Sequence, residues 1–293
     1  MNIRRIATTM MAVTVAVGGV LSVAATANTP TFGALVPSTF MDVYSPPKTI
    51  PLTGVVTATA QCPPGMAAVS SGGLADGLFS ITLGPGYDSG VAVARAVNGN
   101  TGFPIIAGVT CAPAEQFAGT TVATHETRAH SATGEWTATV TCPAGMRAFG
   151  GGGYFRASNG TLSTDEFFLS ADALTSNGRS WTVSALDNTF TDTLVVTTRC
   201  AFESSSTRLV EEIYPIIPAP GTTVGKAQGY AHCPAGFVPI SGGAWFTQDG
   251  SPAFAQPQLS VSMRAKNGRI GWFAGGTDGS DHAQLHVIVL CGS

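Results

Sequence analysis

Apolar and polar residues alternate along this chain in short runs rather than in helical stripes. Trp181-Thr182-Val183-Ser184-Ala185 is one example, and its period of two is the signature of a half-buried strand. Around it the spacing predicts strands over Trp136 to Cys142, Arg147 to Phe155, Glu166 to Ala173, Trp181 to Asp187 and Leu194 to Cys200. Gly, Asn, Asp and Pro bound these segments, as they do in antiparallel structure. Beyond residue 28 no segment carries a convincing amphipathic helix, so the pattern predicts an all-β fold.

The same order of segments recurs three times. Cys62-Pro63-Pro64-Gly65-Met66, Cys142-Pro143-Ala144-Gly145-Met146 and Cys233-Pro234-Ala235-Gly236-Phe237 each open a short strand that contains a glycine cluster. The clusters are Gly72-Gly73, Gly150 to Gly153 and Gly242-Gly243. A second cysteine closes a late apolar strand in each unit, 49, 58 and 58 residues after the first. A threefold internal repeat is therefore the strongest signal in the sequence. It divides the chain into an N-terminal linker at 28–39 and β repeats at 40–112, 120–201 and 210–293. Val43-Tyr44-Ser45-Pro46 and Ile213-Tyr214-Pro215 lead into the first and third units.

Residues 1–27 read as an export signal: Arg4 and Arg5 precede an apolar run from Met10 to Val23, and Ala25-Thr26-Ala27 resembles a cleavage site. The apolar run is shorter than a membrane span, and no later segment is long and apolar enough to cross a bilayer. The expectation is a secreted, extracellular protein. Six cysteines in that compartment predict disulfides, and the repeat predicts the pairs Cys62–Cys111, Cys142–Cys200 and Cys233–Cys291. Short Cys-x2-4-Cys ligand pairs of the zinc type are absent.

The Cys-Pro-x-Gly motif, glycine cluster, tryptophan strand and closing cysteine strand resemble a repeat of secreted proteins from high-GC Gram-positive bacteria. They also resemble, more distantly, the repeats of the vitelline membrane outer layer protein 1 family. That likeness implies a β-prism, three sheets about a pseudo-threefold axis. The units here are longer than that family's, which leaves a prism-like arrangement and three tandem β-sandwich modules both open. The family lends no catalytic residues.

Composition narrows the function. Only 11% of residues are charged and the formal net charge is −3, against about 25% charged in ordinary domains, which disfavours a nucleic-acid partner. Sequence signatures of common enzymes are missing: there is no G-x-S-x-G elbow, H-E-x-x-H, P-loop or dinucleotide fingerprint. No catalytic residue, metal or cofactor is assigned. His125, Glu126 and His130 form the densest polar cluster and would carry a hydrolase reading. His286 and His282 share one face of their predicted strand, where Asp278 or Asp281 could join them around a metal. Trp136, Trp181 and Trp272 suit a core. Tyr154-Phe155 and Trp245-Phe246 follow glycine clusters and are the candidate ligand-binding residues, as flat rings on which a sugar could stack. The sequence thus predicts a binding protein for a glycan or an extracellular protein. A structural or adapter component of a larger secreted assembly is the alternative, and a secreted hydrolase the third reading.

Overall fold

The computed structural model describes residues 39–49, 55–74, 78–83, 91–97, 104–131, 134–161, 163, 167–187, 191–202, 206–218, 225–248, 251–252, 258–264, 271–278 and 283–293. The expected export signal, most of the linker, His282 and Asp281 lie outside the described residues. The first unit holds β1 (Met41–Tyr44), β2 (Val55–Gln61), β3 (Met66–Leu74), β4 (Leu78–Leu83), β5 (Val91–Val97) and β6 (Pro104–Pro113). In the second are β7 (Thr121–Thr127), β8 (Glu135–Thr141), β9 (Met146–Arg156), β10 (Phe167–Leu174), β11 (Ser180–Asp187) and β12 (Thr193–Phe202). The third has β13 (Thr207–Pro215), β14 (Gly225–His232), β15 (Val238–Gln248), β16 (Gln258–Arg264), β17 (Gly271–Asp278) and β18 (Ala283–Gly292). The fold is all-β and its sheets are antiparallel. The middle-unit strands fall within two residues of where the alternation put them.

Alternation sets the faces. In β8 the residues Trp136, Ala138 and Val140 are buried while Thr137, Thr139 and Thr141 look outward. The Cys-Pro-x-Gly motif makes the turn that starts the next strand. The backbone N–H of Met66, Met146 and Phe237 bonds the carbonyl of Pro63, Pro143 and Pro234 at 3.0–3.1 Å. Gly65, Gly145 and Gly236 stand third in these turns at φ of 81°, 80° and 82°, which a side chain would strain.

Each unit is divided between two sheets. One half joins the lead strand, the closing strand and the glycine strand, as in β13-β18-β15. The other half centres on the tryptophan strand, as in β10-β11-β8. The halves then combine across units. One sheet runs β1-β6-β3-β16-β17-β14, with Leu74 registered on Val261. Another runs β13-β18-β15-β10-β11-β8, with Trp245 registered on Ala171. The remaining halves are β9-β12-β7 and β2-β5-β4, and β9 lies beside β4. This corrects the tandem-module alternative: strands of different units complete one another's sheets, because a single unit's halves are too thin to enclose a core.

Disulfides and tryptophans hold the halves together. Cys62–Cys111, Cys142–Cys200 and Cys233–Cys291 are formed, with Cα separations of 5.6, 5.6 and 5.7 Å. Each joins the two sheets between which its unit is divided. Inside, Trp181 of β11 faces Gly151 of β9, where a Cβ would lie 2.3 Å from the indole. Trp272 of β17 faces Gly242 of β15 in the same way, at 2.5 Å. The glycine clusters thus make room for a large ring from the opposite sheet. Tyr214 of β13 adds a polar tie: its hydroxyl donates to the Tyr230 carbonyl at 2.7 Å and accepts from the Tyr230 N–H at 3.0 Å, linking β13 to β14 of the other sheet.

Candidate functional site

On the outer face of the sheet β13-β18-β15-β10-β11-β8, one cross-strand row brings together Ile213, His286, Trp245, Ala171, Ser184 and Thr137. These residues come from six strands of two units, and strict pairing aligns them. Trp245 is half-buried. His286 lies on one side of it, with ring centroids 5.0 Å apart and planes inclined by 15°.

His286 is held from both nitrogens. Its Nδ1 lies 2.7 Å from a carboxylate oxygen of Glu211 and its Nε2 lies 2.8 Å from the hydroxyl of Thr247. An imidazole that donates Nδ1–H to Glu211 accepts at Nε2 from the Thr247 O–H. Carboxylate, imidazole and hydroxyl stand in the order of a nucleophilic relay. Yet β15 is paired at Thr247 on both sides, with Gln284 and with Pro252, so the neighbouring backbone is engaged in sheet rather than disposed around an oxyanion. These contacts fix the imidazole from both nitrogens beside the Trp245 indole.

The opposite side of the indole borders a trough of about 260 Å³. Its floor is made by Ala171, Ala173 and Ser184, and Thr137, Thr182 and the turn at Thr175-Ser176 edge it. Small side chains at Ala171 and Ala173 leave the depression beside the large ring. The hydroxyls are tied in cross-strand pairs, Thr137 to Ser184 at 3.1 Å and Thr139 to Thr182 at 2.8 Å.

Below the floor, Asp172 points inward. It is 5% exposed, and its carboxyl accepts the Trp181 indole N–H at 2.6 Å. Burial pushes its pKa from 3.8 up to about 8, with the indole bond pulling the other way, so the group is a neutral acid in the core at acidic and neutral pH.

The four residues expected to bind ligand divide by face. Trp245 and Tyr154 are half-buried, whereas Phe155 and Phe246 are 2% and 1% exposed and belong to the core. Phe155 packs edge-on to Trp136 at 5.5 Å, and Phe246 meets the trough only from beneath. Period two held the signal for this: a residue next to an outward ring must point inward. The site is also not repeated. The place of Trp245 is taken by Tyr154 in the second unit and Leu74 in the first. Tyr154 shares its row with Val195 and Glu126. Near Leu74, Tyr44 lies over Gly108, and Arg264 pairs with Asp42 at 3.1 Å.

His125, Glu126 and His130 do not converge. His125 and Glu126 are adjacent on β7 and face opposite ways; Glu126 is ion-paired with Arg156, and that bond holds its carboxyl below the usual range. His130 packs on Trp136 at 4.9 Å. Of the possible metal ligands, His286 is engaged by Glu211 and Thr247. The residues missed by sequence reasoning are Glu211 and Thr247, gathered around His286 within the third unit, and Ala171 and Ala173, which only cross-unit pairing brings to Trp245.

No protein-family model and no curated protein matches this chain. The functional reading therefore rests on the geometry of the site.

Proposed function

We propose that this is a secreted glycan-binding protein whose ligand stacks on Trp245. The carrying observation is a half-exposed indole, backed by a fixed imidazole on one face and open to a trough on the other. An aromatic ring with an apolar body suits the apolar face of a sugar ring, and a ring already held in place loses little further freedom on binding. Three disulfides support an oxidising, extracellular setting. The β9–β4 contact supports closure of the sheets into a three-walled, prism-like body, with the site on the outside of one wall.

Retention on immobilised cell-wall and plant polysaccharides tests this reading. Wild type should be retained and Trp245→Ala should not, with both equally folded by circular dichroism. Equal behaviour of the two proteins on every polysaccharide would refute it.

A second reading, an adapter in a secreted assembly, is favoured by two exposed apolar side chains, Ile213 on β13, 51% exposed, and Ile217, 70% exposed and paired with Lys226 of β14 in the other sheet. Light scattering of native secretions distinguishes the two, since an adapter runs with partners.

A further inference from the structure

We propose that the Trp245 trough selects a neutral oligosaccharide of more than one ring and excludes charged ones. This rests on the glycan reading above and names the ligand class for that site.

The lining carries no charge: Thr137, Ala171, Ala173, Thr182, Ser184 and Trp245 are all neutral. A carboxylate, sulfate or ammonium group placed there would lose hydration without gaining a counter-charge. On the row's own face, Glu211 lies on the far side of the indole and is already bonded to His286, and Glu135 stands on β8 beyond Thr137 without lining the trough. Sugar hydroxyls, by contrast, suit the hydroxyl pairs. When two hydroxyls share one bond, the pair keeps one O–H to donate and lone pairs to accept. A ligand group that both donates and accepts can satisfy both.

Length follows from the sheet. Trp245 on β15 and Thr137 on β8 are separated by β10 and β11, thus by three strand spacings or roughly 14 Å. One sugar ring on Trp245 would leave the far hydroxyls unused. A second, lying across Ala171 and Ala173, reaches Thr182 and Thr137. The small side chains at these positions let it approach the sheet, and the trough's volume lies just below the range of about 300–1,000 Å³ common for ligand pockets. That suits a short chain lying partly in solvent.

Calorimetric titration of the full chain with cellohexaose, chitohexaose, mannohexaose, hexagalacturonate and a hexaproline peptide tests the inference. At least one neutral hexasaccharide should bind, tenfold or more tighter than its monosaccharide. Its affinity should be insensitive to salt, and Trp245→Ala and Thr182→Val should each weaken it. Thr182→Val is nearly isosteric at a partly exposed position, so it keeps the test usable if Trp245→Ala fails to fold. Tighter, Trp245-dependent binding of hexagalacturonate would overturn the neutral class while leaving the glycan reading intact. Binding of hexaproline alone, or of no probe at all, would overturn both.

Discussion

The indole N–H of Trp181 donates to the carboxyl of Asp172 at 2.6 Å inside the core, directly beneath the candidate trough. At the equivalent place in the third unit the indole of Trp272 meets the hydroxyl of Ser262 at 2.9 Å. The two pairs do the same geometric job, but only the first contains an acid.

That acid makes stability depend on pH. With a pKa of about 8 in the fold against 3.8 in the free group, Asp172 keeps its proton in the native state while the unfolded chain loses it. Its stabilising contribution is complete below about pH 4 and is lost progressively as pH rises to about 8. Asp172→Ser should therefore be more stable than wild type at pH 8, by a few kcal/mol, and gain nothing at pH 4. Urea denaturation across that range checks it. Parallel pH curves for the two proteins would show that the carboxyl is not the source.

The glycines facing the tryptophans should be among the least replaceable. A Cβ at Gly151 would lie 2.3 Å from Trp181 and 2.8 Å from a backbone oxygen, so Gly151→Ala should cost about 1–3 kcal/mol or more. Gly65→Ala meets no atom within 4 Å. It should cost only about 1 kcal/mol, from its positive φ. Thermal melts of the two variants, measured side by side, should rank them in that order.

Removing one bridge should loosen two sheets at once. Cys142→Ala with Cys200→Ala should lower stability by about 4 kcal/mol in the chain-entropy picture. Non-reducing peptide mapping of the wild type should show only pairs within units.

If His286 holds the indole, then His286→Ala should weaken binding of the oligosaccharide while barely changing the melting temperature. A loss of about tenfold corresponds to about 1.4 kcal/mol, the size of an aromatic contact. Glu211→Gln, which keeps a hydrogen-bonding partner for Nδ1, should fall between wild type and His286→Ala. Calorimetry on the same hexasaccharide reads this directly. An unaltered affinity in His286→Ala would mean that Trp245 needs no support.

Strands, turns and bridges were legible in the sequence because each rests on local physics. Alternation marks faces, Pro and Gly mark turns, and a repeated cysteine finds its counterpart in the same unit. Partner choice was not legible, since nothing local tells Leu74, paired with Ile106 of its own unit on one edge, that its other edge will register on Val261. The site inherits that limit. His286 was correctly placed on an outward face, but Glu211 stands 75 residues from it in sequence, and Ala171 meets Trp245 only after two units have joined. Four tryptophans with similar strand contexts proved to have two fates, decided by which side of the strand met the opposing sheet.

The register of Leu74 on Val261 has a temporal consequence. During synthesis the first unit's glycine strand must wait with an unpaired edge until nearly the whole chain has emerged. Long-range pairing of this kind folds slowly, and an exposed edge invites aggregation. The repeat is therefore not a string that could be shortened or lengthened by one unit at will. Deleting the third unit would leave that edge of the first unit's sheet open.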